Sequence, residues 1–340
     1  MTANAPALKR DVAKPRLGFL GVGWIGRHRM EAIAKSGAAE VAAIADPVKA
    51  VAEQAARTVG AGCVLLSDLD ELLESGVDAV VIATPSAFHA EQSVRALERG
   101  KAVFCQKPLG RDAREVRQVV DAARKANLLL GVDLSYRFVR GMPELRQLIQ
   151  AGELGDVYGV DLVFHNAYGP DKAWFYDPKL SGGGCVMDLG IHLVDLALWM
   201  LGDVKVERVT RRLFAQGKPL VGHRSAVEDY AVARLDLDSG AAVQLACSWK
   251  LPAGRDAIIE AVFYGTKGGA ALRNLNGSFY DFTVERFRGT SREVLATPPD
   301  AWGGRAAVAW AERLAAGATF DPECERLVEV AAALDGIYGP

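Results

Sequence analysis

The sequence has 340 residues, of which 50% are hydrophobic and 24% are charged, and this composition excludes a disordered or collagen-like chain. Its 40 basic and 42 acidic residues give a formal net charge of −2, so the charge balance does not call for a nucleic acid or an anionic membrane as partner. At about 150 residues per domain, the length predicts about two domains.

Targeting and redox signals point to a soluble, cytoplasmic protein. No apolar run reaches the ~18 residues of a membrane-spanning helix, and Lys9 and Arg10 are not followed by the apolar stretch of a secretory signal. The five cysteines are scattered and form no C-x-x-C pair, which is typical of free thiols in a reducing compartment. We therefore expect no membrane partner.

The first half of the chain alternates short apolar runs with helical patterns. The runs at 17–21, 41–45, 64–66, 79–83, 101–105 and 128–133 predict six strands, and helical spacing covers 24–36, 48–58, 69–75, 87–99 and 112–125. Uninterrupted apolar strands separated by helices are typical of a parallel sheet covered on both faces. The pattern therefore predicts a doubly wound α/β domain of the Rossmann type.

The second half predicts an α+β unit with an open, mainly antiparallel sheet. Segments 156–165, 204–214, 227–237, 241–250, 258–264 and 279–287 alternate or are rich in β-forming residues, while 143–151, 187–201, 304–316 and 323–337 are helical. We expect a flexible N-terminal extension at 1–15, a first domain at 16–135 and a second at 136–340. The closing helices of the second domain are free to pack back on the first.

A glycine motif follows the first predicted strand directly and opens the first helix. Gly21-Val22-Gly23-Trp24-Ile25-Gly26 fits G-x-G-x-x-G, in which the glycines permit a tight turn and a close approach of backbone to a pyrophosphate. Asp46 ends the second strand, where a carboxylate accepts hydrogen bonds from ribose hydroxyls and repels a 2′-phosphate. We therefore predict NAD rather than NADP. The alternative is a tight turn with a solvated aspartate.

Two further strand ends supply candidates for the same crevice. Thr84 and Pro85 end the fourth strand, and they either face the nicotinamide or simply start the next helix. His89 lies in that helix, where it either packs against the protein or contacts the coenzyme. Lys107 ends the fifth strand, and Pro108 restricts it to an extended backbone. The alternative for Lys107 is a solvated turn residue.

Glycines 182–184 lead into a mostly apolar helical segment that carries three polar residues. Asp188, His192 and Asp195 share one helix face by their spacing, so they must find partners or line a cavity. The pair of Asp188 and His192 also permits two metal ligands or a satisfied core pair. Because H-E-x-x-H and a cysteine–histidine cluster are absent from the sequence, we predict no metal site and favour catalysis.

These motifs, together with Tyr136-Arg137-Phe138, are similar to those of the glucose–fructose oxidoreductase/inositol dehydrogenase (Gfo/Idh/MocA) family, and the resemblance covers residues 16–338. It implies an NAD(P)-dependent oxidoreductase acting on a sugar or cyclitol, with its catalytic lysine, aspartate and histidine at Lys107, Asp188 and His192. It also implies a homodimer or homotetramer formed through the open sheet. The family usually has Glu-Lys-Pro, whereas Gln106 here cannot carry a charge.

The expected reaction is reversible hydride transfer between nicotinamide C4 and a carbinol carbon. His192 takes the hydroxyl proton, Lys107 hydrogen-bonds the reacting oxygen, and Asp188 orients His192 or binds a neighbouring hydroxyl. Further candidates for coenzyme contact are Gln106 and the motif residues above, and for substrate contact Tyr136, Arg137, His165, Trp174, Phe175 and Asp195. Two alternatives stay open: redox-assisted glycoside cleavage with retained NAD, and a non-catalytic nucleotide-binding relative.

Overall fold

The computed structural model of the protein describes residues 14–60, 62–220 and 226–339. The flexibility expected for the extension at 1–15 therefore concerns residues almost all of which lie outside the described chain. Two sheets organise the described residues, one of six strands and one of nine.

The first sheet is parallel and has helices on both faces. Its strands are β1 (Arg16–Leu20), β2 (Glu40–Ala45), β3 (Val64–Leu66), β4 (Ala79–Ile82), β5 (Ala102–Cys105) and β6 (Leu130–Val132), in the order β3–β2–β1–β4–β5–β6. The helices are α1 (Trp24–Ser36), α2 (Lys49–Val59), α3 (Leu69–Glu74), α4 (Ser86–Glu98) and α5 (Ala113–Ala126). β4 and β5 are buried throughout, which explains their uninterrupted apolar sequence. The predicted doubly wound fold is confirmed.

The second sheet has the order β15–β14–β13–β12–β7–β11–β10–β8–β9. Its strands are β7 (Val157–Asn166), β8 (Val206–Ala215), β9 (Lys218–Pro219), β10 (Tyr230–Leu237), β11 (Ala242–Ser248), β12 (Ala257–Gly265), β13 (Gly269–Asn274), β14 (Phe282–Arg288) and β15 (Ser291–Ala296). The expected mainly antiparallel sheet is confirmed, and β7 pairs in parallel with β11. The sequence pattern misses β9, β13 and β15, because β9 has two residues, β13 is mostly buried and β15 is mostly exposed, so none alternates.

Helices α6 (Met142–Gln150), α8 (Ile191–Leu201) and α10 (Glu325–Tyr338) pack on one face of the second sheet. A short helix α7 (Pro178–Ser181) and a π-helical turn (Val186–Gly190) precede α8. The helix predicted at 187–201 is therefore π-helical up to Gly190 and α-helical from Ile191, just before His192. The helical stretch Pro178–Leu201 is long and apolar enough to cross a membrane, but 78% of its most apolar window is buried inside the protein, as in a core helix.

The last two helices pack back on the first sheet and its helices. α9 (Arg305–Ala315) packs against α1 and β5, where Trp310 joins the same buried cluster as Phe19 and Phe104. α10 packs against α5 of the first sheet and α8 of the second unit. We propose that the domain boundary falls between residues 135 and 136, where a 3-10 helix (Ser135–Phe138) follows β6.

Candidate active site

The glycine turn after β1 leaves backbone open to a ligand. Gly21 has a φ of +83°, and a Cβ there would lie 2.7 Å from the carbonyl oxygen of Ala83. A Cβ on Gly26 would lie 2.2 Å from the carbonyl oxygen of Gly21, whereas a Cβ on Gly23 would meet nothing within 4 Å. Gly23 is the N-cap of α1 and has no side chain with which to cap the first N–H groups. Free N–H groups at a helix start attract phosphate, so the turn fits a dinucleotide.

Asp46 lies directly after β2, beside this turn. Its Oδ2 accepts the N–H of Val22 and its Oδ1 accepts the N–H of Val48, both at 2.9 Å. These bonds orient the carboxylate, and each oxygen keeps a further lone pair that can accept a ribose hydroxyl. The residues present therefore fit the adenosine end of NAD.

A cavity of about 1430 Å³ is bounded by both domains. The predicted site residues in its wall are Gly23, Trp24, Ile25, Thr84, Pro85, His89, Gln106, Lys107, Tyr136, Trp174, Asp188 and His192, joined by Phe175. Among the residues that the structure describes, Gly21, Gly26, Asp46, Arg137, His165 and Asp195 are not part of this wall. One cavity thus joins the glycine turn to strand ends of the first sheet and to the start of α8.

Lys107 is held by the second domain. Its Nζ donates to Oδ1 and to the main-chain oxygen of Asp188, both at 2.7 Å. Trp249, at the end of β11, donates its Nε1–H to Oδ2 of Asp188 at 3.0 Å. The two charged side chains are 19% and 17% exposed, so their attraction is only partly screened. Two of the three ammonium protons are occupied, which leaves one N–H for a ligand in the cavity.

His192 lines the cavity. Its ring lies 5.0 Å from that of Tyr136, centroid to centroid, and its Nδ1 is buried with no hydrogen-bond partner in the described chain. Burial, followed by the charges of Lys107 and Arg29, holds the pKa of His192 well below its usual 6.5. The lowered pKa favours the neutral imidazole, in which one ring nitrogen can accept a proton. No group of three or more potential metal ligands is found among the described residues.

The predicted pairing of Asp188 with His192 is not what the structure shows. Asp188 lies in the π-helical turn, and its carboxylate faces Lys107 and Trp249. The third polar residue of the predicted face, Asp195, is buried. Its carboxylate accepts hydrogen bonds from Nε of Arg137, at 2.8 Å, and from Nη2 of the same side chain. The change of winding before α8 separates the three side chains, so only Asp188 and His192 reach the cavity.

Two predicted substrate contacts, Arg137 and His165, are directed elsewhere. Arg137 pairs with Asp195 and lies over the ring of Trp199. His165 stands on β7 next to Phe164, which points into the core against Tyr136. Because side chains alternate along a strand, His165 lies on the opposite face of the sheet, where its Nδ1 meets Ser248 Oγ at 2.8 Å.

His89 braces the first domain rather than presenting a free imidazole. Its two ring nitrogens lie 2.7 Å from the main-chain oxygens of Pro108 and Thr84. Burial lowers the pKa of His89, against the opposing effect of these two carbonyls. The ring thus lies between the loop after β4 and the loop after β5, which carry Thr84 and Lys107, and its one N–H donates to one of the two carbonyls.

Gln106 bonds a buried carboxylate that the sequence analysis missed. Its Nε2 donates to Oδ2 of Asp133 at 2.5 Å, and the same oxygen accepts Nε of Arg29 at 2.6 Å. The anion next to Lys107 comes instead from Asp188. A charged residue inside the α1 pattern was the available signal for Arg29, whereas nothing local marks Trp249.

Three glycines at 182–184 make room for protein rather than for a ligand. A Cβ on Gly183 would lie 2.0 Å from the hydroxyl of Tyr338, and one on Gly184 would lie 1.9 Å from the main-chain oxygen of Glu228. The buried Glu228 carboxylate accepts the N–H groups of Gly184 and Val186 and the hydroxyl of Tyr338. Burial raises the pKa of Glu228, while these donors oppose that shift. The contacts fix the start of the π-helical turn that carries Asp188.

Comparisons with known proteins find related sequences over both halves of the chain. A family model described as an oxidoreductase family with an NAD-binding Rossmann fold matches residues 16–134, and a GFO/IDH/MocA C-terminal domain model matches residues 142–271. The chain is 32% identical to the rhizopine catabolism protein MocA of Rhizobium meliloti over 76% of this chain and 78% of that protein. It is 28% identical to scyllo-inositol 2-dehydrogenase (NAD+) of Bacillus subtilis strain 168 over 82% and 79%, respectively.

A solved structure shares the fold over nearly the whole chain. GenD2 from gentamicin A biosynthesis, crystallised in complex with NAD, superposes with a TM-score of 0.79, at 24% identity, over 99% of this chain and 96% of that one. At this identity the likeness shows the fold and no more.

Proposed function

The chain belongs to the GFO/IDH/MocA family of oxidoreductases, and from that membership we propose that it transfers a hydride reversibly between C4 of NAD and a carbinol carbon of a sugar or cyclitol. It is an NAD(P)-dependent dehydrogenase acting on CH–OH groups, with NAD as the main coenzyme. The turn at residues 21–26 and Asp46 would hold the coenzyme at the carboxyl ends of the first sheet.

The observation that carries the proposal is the pinned ammonium of Lys107 in a cavity shared with His192. With two of its protons held by Asp188, Lys107 keeps its remaining N–H for the reacting oxygen. Negative charge develops on that oxygen when a carbinol is oxidised, and a fixed donor in a secluded site stabilises it. Asp188 is then a positioning residue for Lys107, and Trp249 positions Asp188.

The proton of the reacting hydroxyl goes to His192. The carbinol loses a hydride and a proton, and His192 is neutral because its pKa is lowered. Its ring faces Tyr136, whose own pKa is raised by burial, so Tyr136 remains an uncharged hydroxyl group. The acid–base step therefore rests on the imidazole, in the role usual for a histidine general base.

The wall charges favour an uncharged substrate ring over a phosphorylated one. Several wall cations lie within 4 Å of a carboxylate, as the pairs Arg29–Asp133, Lys107–Asp188, Lys172–Asp171 and Arg305–Asp300. Lys35, also in the wall, is exposed. Aromatic side chains of the second domain supply apolar surface, namely Tyr136, Trp174, Phe175, Phe279, Tyr280 and Trp302.

Mixing the purified protein with NAD and a panel of sugars, sugar phosphates and cyclitols, with scyllo-inositol included, tests the proposal. Formation of NADH, followed by absorbance, with an uncharged ring is the expected result. Silence with every member of the panel, despite tight NAD binding, would support a non-catalytic protein. Cleavage of a glycoside without NADH formation would support the redox-assisted alternative, which the dehydrogenase names of the relatives do not favour.

We also propose that the protein forms a homodimer or homotetramer through the face of the second sheet opposite α8. That face carries half-buried and exposed side chains, among them Asp161, Val163, His165, Tyr230 and Tyr264. A broad sheet face of this kind offers a surface that a second copy can cover. Light scattering coupled to size-exclusion chromatography measures the mass, and a monomer would contradict the proposal.

A further inference from the structure

The carboxylate of Asp133 organises a cluster at the first-domain side of the cavity. Asp133 is 2% exposed and lies just after β6. Its Oδ2 accepts hydrogen bonds from Arg29 and Gln106, and its Oδ1 accepts the hydroxyl of Ser135. All four side chains line the cavity and all are buried. The reaction outlined above does not account for this cluster.

We propose that Asp133 is a positioning residue for coenzyme binding. By accepting a hydrogen bond from the NH2 group of Gln106, it leaves the carbonyl oxygen of Gln106 to accept a hydrogen bond from the coenzyme. The inference rests on the proposed function only in placing NAD in this cavity. An amide has donors at one end and an acceptor at the other. Turning the Gln106 amide around would bring its oxygen against the Asp133 carboxylate, so the carboxylate selects the orientation.

The same cluster explains why residue 106 carries no charge. A glutamate there would bring a second carboxylate against Asp133, and like charges repel strongly where burial limits screening. Arg29 supplies one positive charge to the cluster, through its Nε at 2.6 Å from Asp133. One guanidinium balances one carboxylate. In this chain the carboxylate is that of Asp133, and the uncharged acceptor is Gln106. A variant with glutamate at 106 and asparagine at 133 would keep a single carboxylate but place it at position 106.

An exchange of charge tests the inference. Gln106→Glu places two carboxylates beside Arg29, Asp133→Asn places none, and the double variant Gln106→Glu/Asp133→Asn restores one. Fluorescence titration at pH 7.5 should show NADH affinity about tenfold weaker in Gln106→Glu and within about threefold of wild type in the double variant. In the absence of ligand, the double variant should have a higher melting temperature than either single variant.

A pH series separates positioning from a general loss of stability. Repulsion by Asp133 raises the pKa of the introduced carboxyl, so lowering the pH from 8.5 to 6.5 protonates it and makes it resemble glutamine. NADH affinity of Gln106→Glu should therefore rise as the pH falls, while that of the wild type and the double variant stays flat.

The groups that face the cluster do not obscure this readout. The charged groups are Arg29 and Lys107, and the titratable neighbours are His28 on α1, Cys105 on β5 and His192 on α8. Burial lowers the pKa of both histidines and raises the pKa of Cys105 to about 12. These neighbours therefore remain largely uncharged across the series.

Gln118→Glu is the matched control. Gln118 is exposed on α5, three residues before the exposed Asp121 of the same helix. The same substitution beside an aspartate should leave NADH affinity unchanged there, because solvent screens the pair.

Two results overturn the inference. The first is NADH binding by Gln106→Glu as tight as that of the wild type, at every pH. The second is a double variant that improves on Gln106→Glu in neither NADH affinity nor melting temperature. A wild-type protein that binds no NADH overturns the proposed function instead, and the melting temperatures of the ligand-free variants then still decide whether the charge exchange holds.

Discussion

Replacing Trp249 with phenylalanine removes the indole hydrogen bond to Asp188 while keeping an aromatic ring. Trp249 is 3% exposed, and its Nε1 lies 3.0 Å from Oδ2 of Asp188. The rings of Phe175 and Tyr176 approach Trp249 edge-on, and phenylalanine can retain these contacts. A hydrogen bond to a charged group contributes about 1.5–3 kcal/mol, so we expect kcat/KM to fall by about 10- to 150-fold.

The rate of NADH formation with the most active ring substrate measures this effect, and fluorescence titration measures NADH affinity. We expect that affinity to stay within about twofold of wild type, because Trp249 acts through Asp188 and Lys107 on the substrate oxygen. Trp310→Phe is the control, since the Nε1 of Trp310 is buried without a partner among the described residues, so no hydrogen bond is lost. A fall below about threefold, or an equal fall in both variants, would refute the reasoning.

Further substitutions and a pH series test other parts of the site. His192→Ala should lower kcat by about 10²- to 10⁴-fold with NADH affinity nearly intact, and turnover near wild type would show that another group takes the proton. Gly23→Ala should weaken NADH binding by about tenfold without lowering the melting temperature, because its Cβ meets no protein atom within 4 Å but blocks a pyrophosphate. Gly26→Ala should lower the melting temperature, because its Cβ would lie 2.2 Å from the Gly21 oxygen; thermal scans with and without NADH distinguish the two variants. Lowering the pH from 7.5 to 5.5 should reduce the free energy of unfolding, measured with denaturant. Folding lowers the pKa of four histidines, so the unfolded chain binds more protons than the folded chain over this range. These histidines are His28, His89, His165 and His192. The raised pKa of Glu228 has the opposite effect on stability, but it is one group against four. A free energy of unfolding that is higher at pH 5.5 than at pH 7.5 would contradict the lowered pKa values of the histidines.

Local patterns in the sequence were sufficient for the first domain. The glycine turn, its position between β1 and α1, and Asp46 after β2 all follow from spacing within one contiguous segment. Strand alternation also predicted the second sheet, except where a strand was too short, too buried or too exposed to alternate. Periodicity reports the environment along one element, and this information is present in a single chain segment.

The contacts that turn these elements into a site are set by the tertiary structure. Lys107 and Asp188 are 81 residues apart, Asp188 and Trp249 are 61 apart, and Arg29 and Asp133 are 104 apart. The π-helical turn sends Asp188 to Lys107 instead of His192, and glycines 182–184 admit Glu228 and Tyr338. Spacing along the chain determines which residues share a face of an element. Which residue of another element meets that face depends on how the elements pack, so only the folded chain decides the partners of each charged side chain.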